Sequence, residues 1–347
     1  MKKPQILMVY LLRNSFVRRD IEALKHLGFS VQEWHAPPYK GIGFLVNRIK
    51  EMIWGFFQVY RATHVISWFS DYHSFWLLFW ARYLGRPSLV IVGGFDAVAA
   101  PHLNYGAFLK KNLRQKIIRA NYRRAHEIWV VDASLATGCE GALAQKGVQS
   151  GLLQWMPELA NKIKTVPTGY DPEYWKPAGP KTPKTVLTVG LFTEPRVMER
   201  KGIPNFLELA RQWPDFQFVI VGDAHGIISQ QDCLPENVKI KGLVSEQEVL
   251  HYFQKSTYYA QFSAIEGLPN VLCEAMLCGC IPLGNPVFGI PTAIGDTGLL
   301  FDPTKIPEKA ASLKKQLLAL NPQAPRERIL ANFHQSKRVN SIKSFIQ

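Results

Sequence analysis

Two doubly wound α/β domains are what this sequence predicts, and three features predict them. The chain has 347 residues, more than one hydrophobic core ordinarily serves, and 47% of them are hydrophobic. Apolar runs of strand length alternate with amphipathic stretches of helix length, the pattern of parallel strands buried on both faces. A proline-rich stretch, Lys176-Pro177-Ala178-Gly179-Pro180-Lys181-Thr182-Pro183, reads as a linker and places the domains at 1–178 and 179–330.

In the first half, 6–11 reads as a buried strand, followed by a loop with Arg13 and Ser15. Ser15 is the expected cap of a helix over 17–27, and 29–34 is the second strand. A helix over 47–62, a strand over 64–69 and an aromatic helix over 73–84 follow. The last is apolar almost all round and is expected between layers, with a membrane-dipping surface as the other reading. The strand 88–92 ends on Gly93-Gly94-Phe95-Asp96. Glycines at a strand's carboxyl end admit a ligand to the backbone, and Asp96 is expected either to face that ligand or to cap the turn. His102 lies in the same loop. The stretch 108–125 holds seven Lys or Arg and no acid, with Leu109, Leu113 and Ile117 at helical spacing. It reads either as an anionic-membrane contact or as a solvated basic face. A strand over 127–132, partly helical structure over 133–154 and a strand over 163–167 complete the half.

The second half begins with a strand over 184–189, then Gly190 and a loop carrying Arg196, Arg200 and Lys201. A helix over 202–213 and a strand over 216–221 follow. Ser245 with Glu248 forms a capping box for the next helix. The organising stretch is 261–283, QFSAIEGLPNVLCEAMLCGCIPL. It reads as the end of a buried strand, a turn, a helix from Pro269 to the cap at Gly279, and another strand. The loop 288–294 and helices over 306–320 and 333–346 close the chain. The amides of Asn270, Val271 and Leu272 at a helix start suit a diphosphate. Glu274 is placed to accept hydrogen bonds from a sugar diol, and Glu266 to meet a second sugar beyond the phosphates. The alternative is that both are solvated acids.

The formal charge of +14 directs attention to nucleic acid, anionic membranes or phosphorylated substrates. No nucleic-acid motif accompanies it, so nucleic acid is not expected. The five cysteines lack metal-site spacing, Cys278 and Cys280 flank a helix cap as packing residues, and their odd number suits a reducing compartment. The basic, apolar start MKKPQILMVYLL lacks a small-residue cleavage site and reads as a first strand. No apolar run of about 18 residues predicts a transmembrane helix.

The stretch from Glu266 to Pro282, E-G-L-P-x4-E-A-M-x-x-G-x-I-P, resembles the E-x7-E signature of GT-B glycosyltransferases of the retaining family 4 type. Val189-Gly190, Arg200-Lys201-Gly202, 218–223 (FVIVGD), 242–245 and 298–302 (GLLFD) agree with that family in order. The resemblance spans 166–302. It implies two Rossmann-like domains facing a cleft, with 331–347 a last helix packing back on the first. The implied activity is transfer of a sugar from a nucleotide-sugar to a lipid or glycan acceptor with retention, EC 2.4, without cofactor or metal. Glu266, Lys201 and Asp96 are the implied catalytic residues. Gly190, Arg196, Lys201, Gly267, Leu268, Pro269, Asn270 and Glu274 would bind the donor. Arg13, Ser15, Gly94, Asp96 and His102 would serve the acceptor side. A cytoplasmic chain, peripheral on the inner face of the cytoplasmic membrane through 108–125, is the implied location. Two positions depart from the family: Leu191 stands where it has an arginine, and the first loop lacks its glycine pair. Arg196 or Arg200 would replace that arginine. Both departures also fit a catalytically impaired protein of the same fold that binds a nucleotide-sugar or a membrane surface.

Overall fold

The computed structural model describes residues 4–37, 41–139, 147–231 and 233–347. They divide into two units. The first holds the described residues up to Thr168 together with Ser336–Gln347, and the second holds Gly169–Gln335.

The first unit is built on strands β1 (Gln5–Tyr10), β2 (Ser30–His35), β3 (His64–Trp68), β4 (Ser88–Val92), β6 (Glu127–Val130) and β8 (Ile163–Thr165). They form one parallel sheet in the order β2-β1-β3-β4-β6-β8, while β5 (Val98–Ala99) and β7 (Gln149–Ser150) pair antiparallel apart from it. Every residue of β4 is buried, as a central parallel strand requires. The helices are α1 (Ser15–His26), α2 (Gly41–Arg61), α3 (Phe75–Tyr83), α4 (Leu113–Arg124) and the short turns α5 (Ser134–Thr137) and α6 (Leu152–Trp155). Within the stretch 133–154, residues 140–146 lie outside the described ones.

The second unit carries β9 (Thr182–Phe192), β10 (Gln217–Asp223), β11 (Val238–Lys241), β12 (Ser256–Gln261), β13 (Ile281–Gly284) and β14 (Leu299–Leu300). Their order is β11-β10-β9-β12-β13-β14, all parallel. The chain moves to one side of β9 for β10 and β11 and to the other for β12 to β14. The crevice between β9 and β12 is therefore a topological switch point, where open α/β sheets bind ligands. Around the sheet lie α7 (Pro195–Arg200), α8 (Ile203–Gln212), α9 (Glu246–Lys255), α10 (Asn270–Leu277), α11 (Gly289–Ile294), α12 (Ile306–Leu318) and α13 (Ala324–Phe333). The final helix, α14 (Gln335–Ile346), runs into the first unit.

Tertiary contacts correct several sequence expectations. The boundary falls at 168/169, not 178/179, because Arg326 of α13 reaches back to the chain before the linker. Arg326 donates to the carbonyls of Pro172 and Trp175, and the amide of Tyr170 donates to Phe333 O. Ser15 is not a cap; Asn14 holds the cap position without a side-chain bond, and Ser15 Oγ accepts from Arg19. The loop expected over 288–294 is mostly helix α11, entered through Phe288 at φ 49°. Cys278 and Cys280 are both fully buried.

The basic stretch 108–125 is helical only from Leu113, and Leu113 is exposed. Its buried face is Gln115, Ile118, Asn121 and Tyr122. Phe108, before the helix, stacks on Trp155 at 4.2 Å. All four of its arginines make contacts within the unit. Arg114 pairs with Asp71, Arg119 donates to Trp155 O, Arg123 pairs with Glu158, and Arg124 covers the rings of Phe75 and Phe79.

In the first unit, Arg338 of α14 and Asp20 of α1 form a buried ion pair, with contacts of 2.7 and 3.0 Å. Trp68 Nε1 donates to the same carboxylate at 2.9 Å, and Arg338 also donates to Val166 O. Removing one partner of such a pair strands the other charge. Arg338→Ala is expected to destabilise the first unit by about 3–5 kcal/mol. Urea unfolding followed by a probe confined to that unit checks this.

Candidate functional site

At the carboxyl edge of β9 the chain must turn sharply. Gly190 lies against Gly222, where a Cβ would come within 1.7 Å of the Gly190 carbonyl oxygen. The short helix α7 then leads into Lys201 and Gly202. Gly202 takes φ +74°, and a Cβ there would meet Phe262 O at 2.1 Å. Only glycine fits so close an approach. The contact presses Lys201 against the end of β12, and Ala264 N–H donates to Arg200 O at 2.8 Å to hold the two segments together.

Across the switch point, Lys201 Nζ lies 2.5 Å from Glu266 Oε1, with both side chains largely shielded from solvent. Gln261, the last residue of β12, supports the pair from below. Its Nε2 donates to Glu266 Oε1 at 3.0 Å and to Ser263 Oγ at 2.7 Å, and its Oε1 accepts from Tyr259 at 3.1 Å. Burial by itself would raise the Glu266 carboxyl. Lys201 and Arg200 beside it, with bonds from Lys201 and Ser263, hold it below the usual carboxylate range. Arg196 is exposed and paired with Glu194 at 2.7 Å.

The loop after Glu266 is clamped by the next segment. Gly289 N–H donates to Gly267 O at 3.1 Å, and a Cβ on Gly289 would fall 2.1 Å from that oxygen. Leu268 and Pro269 are buried, and Pro269 caps α10 instead of opening it, so the helix begins at Asn270. Tyr170, fully buried, donates to Asn270 Oδ1 at 3.0 Å. Glu274, in the second turn of α10, is only 5% exposed. A carboxylate so buried is not the solvated surface acid of the alternative reading.

The residues expected on the acceptor side all lie in the first unit, Arg13 and Ser15 at the start of α1 and the others in and after the turn that follows β4. Asp96 is fully buried. Its carboxylate accepts from the amides of Ser70 and Gly94 and from the Tyr122 hydroxyl, so it braces the turn after β4. Burial pushes its carboxyl up to about 6 against the pull of those bonds. Gly94, at φ 142°, is part of that turn. Arg13 is half exposed and pairs with Glu33 at 3.2 Å, and His102 is exposed on a 3-10 turn.

The structure thus brings together Lys201, Glu266 and Arg200, and stacks Gly267 to Asn270 and Glu274 on the same sheet edge. Arg196 is exposed and pairs with Glu194. The sequence reading assigned nothing to Tyr259, Gln261, Ser263 and Gly289. A signal was present for Gln261: a polar residue ends an apolar strand, with Ser263 and Glu266 two and five positions on.

Residues 183–319 match the family described as glycosyl transferases group 1. Among curated proteins, the chain is similar to a phosphatidylinositol N-acetylglucosaminyltransferase subunit of Arabidopsis thaliana. They are 23% identical over 183 residues, 48% of this chain and 40% of that one. It is also similar to the gpi3 subunit of the Schizosaccharomyces pombe enzyme, 25% identical over 142 residues, 38% of this chain and 31% of that one. The chain spans less than half the length of both relatives. Among solved structures, it superposes on sucrose-phosphate synthase from Thermosynechococcus elongatus with a TM-score of 0.68 at 16% identity, covering 99% and 98% of the two chains. It superposes on HepE of Anabaena, solved with UDP and glucose, with a TM-score of 0.65 at 15% identity over 98% of each chain. Two parallel-sheet, Rossmann-like units on this pattern are the GT-B glycosyltransferase fold.

Proposed function

We propose that this protein is a retaining glycosyltransferase that moves a sugar from a nucleoside-diphosphate sugar to a lipid-linked or glycan acceptor. The observation that carries the reading is the shielded Lys201–Glu266 pair at the β9/β12 switch point, with Glu274 buried on the helix that follows. Lys201, assisted by Arg200 and the amides at the start of α10, holds the diphosphate. Glu274 accepts from the ribose hydroxyls. Glu266 and the backbone of Gly267–Pro269 position the donor sugar. The bond from the anomeric carbon to the diphosphate oxygen breaks as a bond to the acceptor oxygen forms on the same face. The acceptor's proton passes to the departing phosphate oxygen, so no protein nucleophile is required. The cations take up the charge that develops on the diphosphate, which is commonly a large catalytic term.

The lipid side of the acceptor class draws on the phosphatidylinositol glycosyltransferases among the relatives. HepE, solved with UDP-glucose, makes that compound the first donor to test. A nucleotide-sugar-binding protein without catalysis is the second reading, favoured by Leu191 at the arginine position. Slow donor hydrolysis without acceptor, lost in Lys201→Ala, separates the two. For the donor site itself, Glu274→Ala is expected to weaken nucleoside-diphosphate binding by about 1.5–3 kcal/mol, the scale of hydrogen bonds to a charged group. Calorimetry on protein with an unchanged melting temperature measures it, and unaltered affinity rejects the ribose role.

A further inference from the structure

Helix α2 packs on α3 through Gly55, Phe56 and Val59, yet it leaves a second apolar face uncovered. Its polar residues Asn47, Lys50, Glu51 and Gln58, with Trp54, line a cavity of about 300 Å³ bounded by Trp34, His35 and Ala36 at the end of β2. Its outer face is apolar. Ile42, Leu45, Ile49, Ile53, Phe57 and Tyr60 recur every three or four residues and are 48–81% exposed. Of fifteen exposed large hydrophobic side chains among the described residues, eight lie on this one helix. Such residues scattered singly need no explanation, but a continuous stripe about 27 Å long marks an interaction face.

The charge around the stripe selects the partner. Lys50 and Arg61 on α2 are exposed, as is Arg82 on α3, the helix packed beside it. Arg86 donates to Tyr60 O at 3.0 Å, which sets the end of α3, with exposed Tyr83, against the end of the stripe. The one acid on α2, Glu51, is buried against Arg48, and burial pushes its carboxyl up to about 8. Helix α3 has no acid. The exposed charge of both helices is therefore wholly positive, beside apolar and aromatic side chains. That combination suits the headgroup boundary of an anionic bilayer, where the apolar face sinks shallowly and the cations meet lipid phosphates. At 21 residues, with Glu51, Gly55 and Val59 buried against the unit, α2 would lie along the surface. Among the described residues no helix is long and apolar enough to cross a membrane.

We propose that the outer face of α2 seats this protein on an anionic membrane surface, in place of the basic stretch around α4. The proposal goes beyond the glycosyltransferase reading and does not depend on it, since binding is read without activity. The full chain is floated with phosphatidylcholine vesicles, with and without phosphatidylglycerol. Wild type is expected to float with the anionic vesicles. The double substitution Ile49→Glu/Phe57→Glu should reduce this by about 100-fold or more, since each buried apolar side chain contributes roughly 1.5–3 kcal/mol. Lys110→Glu/Lys111→Glu should keep most of it. Ile49 and Phe57 are half exposed, so an unchanged circular dichroism spectrum and melting temperature are expected in the double variant. Three results would overturn the proposal. They are a wild type that does not float with anionic vesicles, an α2 variant that floats like wild type, or binding lost only in the lysine variant. A stripe that instead joins two copies of this chain would show as a concentration-dependent dimer without vesicle binding, which also refutes it.

Discussion

Replacing Lys201 by alanine is expected to lower turnover by ~10²–10³-fold, the scale for losing one preorganised partner of transition-state charge. The expectation follows from how firmly the ammonium is placed. Gly202 lies against Phe262 O with no room for a Cβ, and Lys201 is held at 2.5 Å from Glu266, itself braced by Gln261. A cation fixed before the reaction needs no reorganisation as the diphosphate departs. The same residues imply that turnover persists in excess chelator. Activity abolished by chelator and restored by magnesium would contradict that. A second readout is the pH dependence. In wild type the Glu266 carboxyl is held below its usual range by Lys201 and Arg200, against the effect of burial. A depressed carboxyl stays ionised until the pH falls through its lowered pKa. Without Lys201 burial acts with less opposition, the pKa rises, and the acid limb of the residual pH–rate profile moves to higher pH. A limb that stays in place would show that Glu266 is not read by the reaction.

Arg200→Ala is expected to cost about 10²-fold in turnover, while Arg196→Ala stays within about threefold of wild type. The two arginines lie four residues apart on α7, and the sequence offers either as the replacement for the cation missing at Leu191. Their surroundings differ. Arg196 is exposed and paired with Glu194, whereas Arg200 is half-buried and its charge acts on the Glu266 carboxyl. Leu191, exposed at the end of β9, can accept an arginine without strain, yet Leu191→Arg should gain little, because Arg200 already supplies the charge. Turnover of the three variants with one donor tests this. Full activity in Arg200→Ala together with a gain in Leu191→Arg would mean that the site is one cation short.

Much of the second unit could be read from local pattern. The strand, turn, helix and strand from 256 to 284 lie within a residue or two of expectation, and the Ser245–Glu248 capping box forms as its spacing requires. Those features rest on interactions between residues a few positions apart, which a sequence displays directly. The pairing of Lys201 with Glu266 joins residues 65 positions apart, and sequence order alone did not reveal it. Nor did it reveal the clamp of Gly289 on Gly267, whose cause is a close backbone approach.

Three decisions belonged to the tertiary structure alone. Asp96 ends a glycine-rich turn in either reading; only the positions of Ser70 and Tyr122, far away in the chain, consume its carboxylate and bury it. The arginines of 108–125 look like a free cationic face until Asp71, Glu158 and Trp155 are brought to them. On α2 the reverse holds: the sequence predicts a helix over 47–62, but not which side meets the protein. Periodicity records that two faces differ. What each face meets depends on the solvent or partner outside, and here Glu51, Gly55 and Val59 face the unit while an apolar stripe is left exposed. Local chemistry in the sequence determined most of the elements and the residue types at the β9/β12 switch point. Long-range packing decided which charges remain available, because a charge paired inside the fold can no longer recruit a partner outside it.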